Sequence, residues 1–176
     1  MLELRSKSDN AKNDKAGKDK KSSANKRIDI DSYFLKIAKV VAERSTCARH
    51  NVGAVIVKNK KIISTGYNGA AAGVKDCLEL GCLRNALKIP SGTRHEICRA
   101  IHAEQNAIIQ AALHGTSTEN STLYCTHFPC ILCAKMIVNA GIKKVVSSGD
   151  YPSDDSKVLF KEAKIQFEIA VCPDGS

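Results

Sequence analysis

His102-Ala103-Glu104, a run rich in Ala, Ile and Gln to Leu113, and then Phe128-Pro129-Cys130-Ile131-Leu132-Cys133 decide how the rest of the chain reads. The two pieces offer one imidazole and two thiols to a single metal, with a carboxylate two residues after the histidine. Catalytic zinc commonly takes three protein ligands of these types and leaves a fourth position open for water. His102, Cys130 and Cys133 therefore read as ligands of a catalytic Zn2+, and Glu104 as the free carboxylate that carries protons. Pro129 suits the first position of a helix, where its missing N–H costs nothing. That predicts Cys130 and Cys133 on one face of the first turn, where the helix dipole favours thiolate over thiol. Ala134, Ile137, Val138 and Ala140 then form an apolar stripe that packs this helix on a core, and Ala103 to Leu113 predicts a second, buried helix. Alone, Cys-x-x-Cys is also the pattern of a thioredoxin-like redox pair or of half a structural zinc site. His-x-Glu alone is common by chance, so the combination and its order carry the reading.

The whole chain sets bounds around that centre. Its 176 residues fit one domain with a sizeable core, and 43% hydrophobic with 26% charged residues is ordinary for a soluble globular protein. No apolar run approaches a membrane span, and the polar N-terminus lacks the hydrophobic region of a signal peptide. The expectation is a cytoplasmic protein with no membrane partner, in which eight cysteines serve metal binding rather than disulfides. The net charge of +9 is unevenly spread. Residues 1–27 hold nine Lys/Arg against four Asp/Glu, leaving eighteen against fourteen for the body. A body of about +4 suits a phosphorylated small substrate and gives little support to a nucleic-acid partner.

Residues 1–27 are Lys, Ser, Asn, Asp and Ala with almost nothing to bury, which predicts a disordered basic tail ahead of one domain over 28–172. Order is expected to begin at Asp29 or Asp31, either a fair N-cap, with Tyr33, Phe34, Ile37, Val40 and Val41 marking an amphipathic helix to about Arg44. Val52–Val57 and Ile62–Tyr67 read as the two strands of a hairpin, and the run Gly66-Tyr67-Asn68-Gly69 ends the second. Residues 70–99 show weak periodicity and read as a long loop, of a length that is usually functional or held by something. It contains Cys77, Cys82, His95 and Cys98, with Cys47 left over just upstream. These soft ligands suggest a second, closed zinc site, against the alternative of independent buried thiols. Further strands at 123–126, 143–147 and 165–171, with a helix over 154–163, give the alternation that predicts parallel pairing with crossover helices. The expected fold is a three-layer α-β-α domain with an antiparallel first pair.

His-x-Glu followed by Pro-Cys-x-x-Cys is the general signature of zinc-dependent nucleobase deaminases. Arg44-Ser45-Thr46-Cys47, Val52-Gly53-Ala54-Val55, Gly66-Tyr67-Asn68-Gly69, His102 to Ile108, Pro129 to Lys135 and Ala140-Gly141-Ile142-Lys143 together resemble the deoxycytidylate (dCMP) deaminase family, including the late-competence-operon type. The likeness runs from about Tyr33 to Ile169. It implies a cytidine deaminase-like fold with a mixed sheet of about five strands, a homo-oligomer, often a hexamer, and hydrolysis of dCMP to dUMP and ammonia for thymidylate synthesis. It implies that Glu104 moves the protons, that Asn68 bonds the sugar and that the Ala103 backbone meets the base. Tyr151 is a further candidate for the pocket wall. The resemblance also implies a second zinc on Cys47, Cys77, His95 and Cys98, with Cys82 as a rival ligand, and allosteric control by dCTP and dTTP.

Two other readings are weighed against it. A tRNA adenosine deaminase shares both zinc motifs but takes a flipped base from a polynucleotide and wants a broad basic surface. A non-catalytic zinc-binding interaction module would have no use for a carboxylate beside an open coordination position, and Glu104 argues against it.

Overall fold

The computed structural model describes residues 27–151 and 153–170. The expected basic tail at 1–27 falls almost wholly outside them, as do the last residues of the expected domain. The first helix, α1 (Ile30–Ala42), is capped by Asp29, whose carboxylate accepts from Ser32 N at 2.9 Å. Strands β1 (Gly53–Lys58) and β2 (Lys61–Tyr67) pair antiparallel. Next come the two-residue strand β3 (Gly69–Ala70), the single-turn helices α2 (Cys77–Leu80) and α3 (Leu83–Ala86), a 3₁₀ turn at His95–Ile97 and the two-residue β4 (Ala100–Ile101). The chain continues through α4 (Ala103–Leu113), β5 (Thr122–Cys125), α5 (Ile131–Asn139), β6 (Lys144–Ser147), α6 (Asp154–Glu162) and β7 (Gln166–Ile169).

The main sheet runs β2-β1-β5-β6-β7. β1 is antiparallel to both neighbours, whereas β5, β6 and β7 are parallel. Strand periodicity divides the side chains between two layers. Val55, Val57, Tyr124 and Val146 face α1 and pack with Phe34, Leu35 and Ala38. Ala54, Ile56, Leu123, Cys125 and Val145 face the other way, into the cluster built by α4, α5 and α6 with Ala103, Ala107, Ile137 and Phe160. The result is the expected three-layer α-β-α domain with one helix on one face and three on the other. Complete burial of a Val, Leu or Ile side chain contributes about 1.5–3 kcal/mol. The central strands, where Val55, Ile56, Leu123, Val145 and Val146 are all fully buried, therefore dominate stability over the more exposed edges β2 and β7.

Two glycines allow helices unusually close to the sheet. A Cβ on Gly53 would lie 2.0 Å from Ala38 O in α1, and one on Gly66 would lie 2.3 Å from both Ala103 O and Ala107 N in α4. Ser64 Oγ adds a hydrogen bond to Ala107 O at 2.5 Å, so β2 grips the N-terminal half of α4.

The segment read as a long loop is partly ordered. Asp76 caps α2 through Leu78 N and Glu79 N, with Glu79 reaching back to complete a capping box. One-turn helices are too short to show apolar periodicity, which is why the sequence reads as structureless there. Its two ends meet where β3 pairs with β4, Gly69 opposite Ile101 and Ala70 opposite Ala100.

Candidate metal centre

Two helix starts converge at the end of β5. His102 is the N-cap of α4 and Cys130 the N-cap of α5, with Cys133 at the third position of α5. Helix α5 thus begins at Ile131, and Pro129 precedes the cap instead of opening the helix. The extended backbone at Cys130 (φ −69°, ψ 167°) is what a helix cap requires. His102 is held by its own backbone N–H, which donates to Gln105 Oε1 at 2.9 Å. Phe128 N donates to Gly149 O at 3.0 Å and Thr126 N to Gly53 O at 3.1 Å, pinning the loop that presents Cys130.

His102 Nδ1 lies 3.4 Å from Cys130 Sγ and 3.3 Å from Cys133 Sγ. The three donor atoms all fall within 4.8 Å of one another, a convergence of three ligands seen at this place alone among the described residues. Zinc bonds of about 2.3 Å to sulfur and 2.0–2.1 Å to nitrogen at a tetrahedral angle set N and S about 3.5 Å apart. The triad fits zinc without rearrangement. The two thiols are pushed apart: hydrogen bonding from Cys133, opposed by burial and aided by His102, pulls the Cys130 thiol down to about 3, whereas the hydrogen bond with Cys130 and burial push the Cys133 thiol up. The hydrogen bond to Cys130 raises His102.

Glu104, in the first turn of α4, is 4% exposed. Burial pushes its carboxyl above the usual range, which suits a group that must hold and release a proton near neutrality. It opens on a cavity of about 270 Å³ that His102, Cys130, Ala103, Asn68, Tyr151 and His95 also line. Of the expected substrate contacts, all three therefore share one cavity. Asn68 is 7% exposed and spends much of its amide on backbone: Oδ1 accepts from Val52 N at 2.9 Å and Nδ2 donates to His50 O at 2.8 Å. Burial raises the Tyr151 phenol.

Of the additional soft ligands, Cys47, Cys82, His95 and Cys98 line the same cavity, and among the described residues no three of the five bring their ligand atoms within 4.8 Å of one another. Cys77 is buried, and its thiol is raised first by burial and then by the neighbouring thiols of Cys82, Cys47 and Cys98. His95 stands with its ring 4.9 Å from that of His102. Its Nε2 is 3.1 Å from Gly92 O, and its buried Nδ1 has no partner.

The cavity also contains residues that sequence reasoning missed: Arg49, His50, Arg84, Ser91 and His127. A signal was present, since Cys47-Ala48-Arg49 and Cys82-Leu83-Arg84 repeat one Cys-x-Arg pattern.

A mixed sheet, a His-Cys-Cys triad on two helix starts and a buried glutamate beside it together define a zinc-dependent hydrolytic deaminase. The model of the cytidine and deoxycytidylate deaminase zinc-binding region matches residues 28–148, and the chain belongs to that family. ComE operon protein 2 of Bacillus subtilis is 41% identical over 143 residues, covering 81% of this chain and 71% of that protein. The deoxycytidylate deaminase of Schizosaccharomyces pombe is 36% identical over 147 residues, covering 83% of this chain but 45% of that enzyme. Among solved structures, the dCMP deaminase of cyanophage S-TIM5 in complex with dCMP and dUMP matches with a TM-score of 0.67 and 32% identity, over 80% of this chain and 96% of that one.

Proposed function

We propose that the chain hydrolyses dCMP to dUMP and ammonia, supplying dUMP for thymidylate synthesis. The observation that carries the chemistry is the buried Glu104 opening on the same cavity as the metal ligands His102 and Cys130. The choice of substrate is supported by likeness to a phage enzyme whose structure holds dCMP and dUMP.

A zinc ion on His102, Cys130 and Cys133 supplies Lewis acidity that makes water nucleophilic near neutral pH. Glu104 takes a proton from the attacking water and delivers it to N3 of the cytosine ring as the water oxygen bonds to C4. It then takes the second water proton and passes it to the exocyclic amine. The C4–N bond breaks, ammonia leaves and the C4 carbonyl forms. The Ala103 backbone, at the first position of α4, holds the base. Asn68 has one amide hydrogen and one lone pair beyond its backbone bonds and meets the sugar, while Tyr151 closes the wall.

A second zinc is part of the same reading. It is held by Cys47, Cys77, His95 and Cys98, with Cys82 as the rival ligand, a set that rests on the family resemblance and is supported by the place of Cys47, Cys82, His95 and Cys98 along one cavity. Assembly as a homo-oligomer, hexamer favoured, cytoplasmic location and control by dCTP and dTTP rest on the family resemblance. Among the described residues no helix is long and apolar enough to cross a membrane.

The test is ammonia release by the zinc-loaded full chain from dCMP, deoxycytidine, cytidine and tRNA in parallel. The expected kcat/KM for dCMP exceeds that for deoxycytidine by about tenfold or more, as a charge-assisted contact to the phosphate requires, with no turnover of tRNA. Equal values for dCMP and deoxycytidine would make this a nucleoside deaminase.

A further inference from the structure

Two charged side chains are buried among the described residues, Glu104 and Arg84, the latter 7% exposed. Both line the one cavity. Glu104 is accounted for by the chemistry, whereas Arg84 is not. It lies on α3, in the segment between β3 and β4, away from the metal ligands in sequence. Its Nη2 donates to Pro90 O at 2.9 Å, and its Nε is buried with no partner. None of the ion pairs among the described residues includes it. It shares that cavity with His102, His95 and Tyr151.

A buried cation with no counter-charge is costly, and such groups are kept where something pairs with them. The neighbourhood adds to the same sign. Arg49 donates from Nη1 to Ile89 O at 3.0 Å, so the two guanidinium groups are brought to the adjacent carbonyls of Ile89 and Pro90. Ser91 Oγ in turn lies 3.2 Å from His50 Nε2. Each arginine carries five N–H donors and uses one on this strip, leaving the rest for an anion. A phosphate is matched by such forks bidentately, which a lone ammonium cannot do.

We propose that Arg84, assisted by Arg49, receives the 5′-phosphate of the substrate and sets the preference for a nucleoside monophosphate over the nucleoside. The assignment rests on the dCMP reading above and gives that reading its specificity residue. The counter-charge of Arg84 arrives with the substrate, and the segment between β3 and β4 is thereby part of the substrate site.

The experiment measures kcat and KM for dCMP and deoxycytidine with the zinc-loaded full chain and with Arg84→Gln, alongside zinc content and circular dichroism. In the wild type the ratio of the two kcat/KM values favours dCMP. In Arg84→Gln that ratio is expected to fall about ten- to a hundredfold, with the loss mainly in KM for dCMP. Arg84→Lys, which keeps the charge but not the fork, restores part of the ratio. If Arg84→Gln is poorly folded, Arg84→Lys and Arg49→Gln carry the test, each lowering the ratio by about three- to tenfold. A wild type with no preference for dCMP overturns the substrate reading and this assignment with it. A wild type with the preference and variants that keep it, or that lose both substrates equally, overturns the assignment of Arg84 alone.

Discussion

Glu104 shows how much one side chain does at this site. Replacing it by Gln keeps the shape and removes the proton carrier. Turnover of dCMP is expected to fall by about 10²–10⁴-fold or more, since one group serves successive transfers, while zinc content stays at the wild-type level; a variant retaining a tenth of the activity would rule out the role. The same substitution has a stability signature with a definite sign. Burial raises the folded carboxyl above its ordinary 4.5, so in zinc-free protein the ionised Glu104 is a liability that grows as pH rises through and beyond that value. Zinc-free Glu104→Gln should therefore melt above zinc-free wild type at pH 8, and the gap should close below about pH 4.5. Thermal melts of the two apoproteins across that range check it. At this scale the sequence was generous: ligand types, spacing and a carboxylate two residues from the histidine are all local patterns. It was least informative about Arg84, because burial of a charge depends on contacts made across the fold and no local pattern encodes it.

Among the elements, α4 is the one whose position matters most, because His102 and Glu104 sit at its first turn. It is seated by Gly66 and Ser64 on β2. Gly66→Ala would put a methyl 2.3 Å from Ala103 O and Ala107 N, contacts that only movement of the helix relieves. The expected cost is about 1–3 kcal/mol of stability, with a drop in kcat for dCMP because the shift occurs where the metal ligand and the proton carrier are anchored. Melting temperature and kcat measured together check it, and an unchanged kcat would show that the helix start is held from elsewhere. The sequence placed α4 and the five strands of the main sheet within a residue or two, whereas β3 and β4, two residues each, offered no pattern to read. It opened α5 on Pro129, two residues before the helix begins at Ile131, because proline is equally at home just before a cap and just after one. The turns α2 and α3 left no periodic trace at all.

For the molecule as a whole, the segment between β3 and β4 is the part whose order depends on something besides apolar burial: Leu78, Leu80, Leu83 and Leu87 are each at least half exposed. A zinc ion on Cys47, Cys77, Cys98 and either His95 or Cys82 would supply what the missing core does not, since structural zinc contributes directly to folding. Metal analysis is expected to give close to two zinc per chain. Cys130→Ser should remove one ion and the activity, and Cys47→Ser should remove the other and lower the melting temperature; one zinc per wild-type chain with an unchanged melt for Cys47→Ser would dismiss the second site. The pairing of Gly69 with Ile101 and Ala70 with Ala100 then takes on a wider meaning. The chain leaves and rejoins the domain at two adjacent rungs, the nearer one residue ahead of His102, so everything from 71 to 99 hangs from one clasp. Rewriting this appendage would leave the metal ligands on the starts of α4 and α5 in place and change the wall beside them, because Arg84, Ser91 and His95 line the reaction cavity. The fold thereby keeps its chemistry constant while leaving open which molecules are admitted to it.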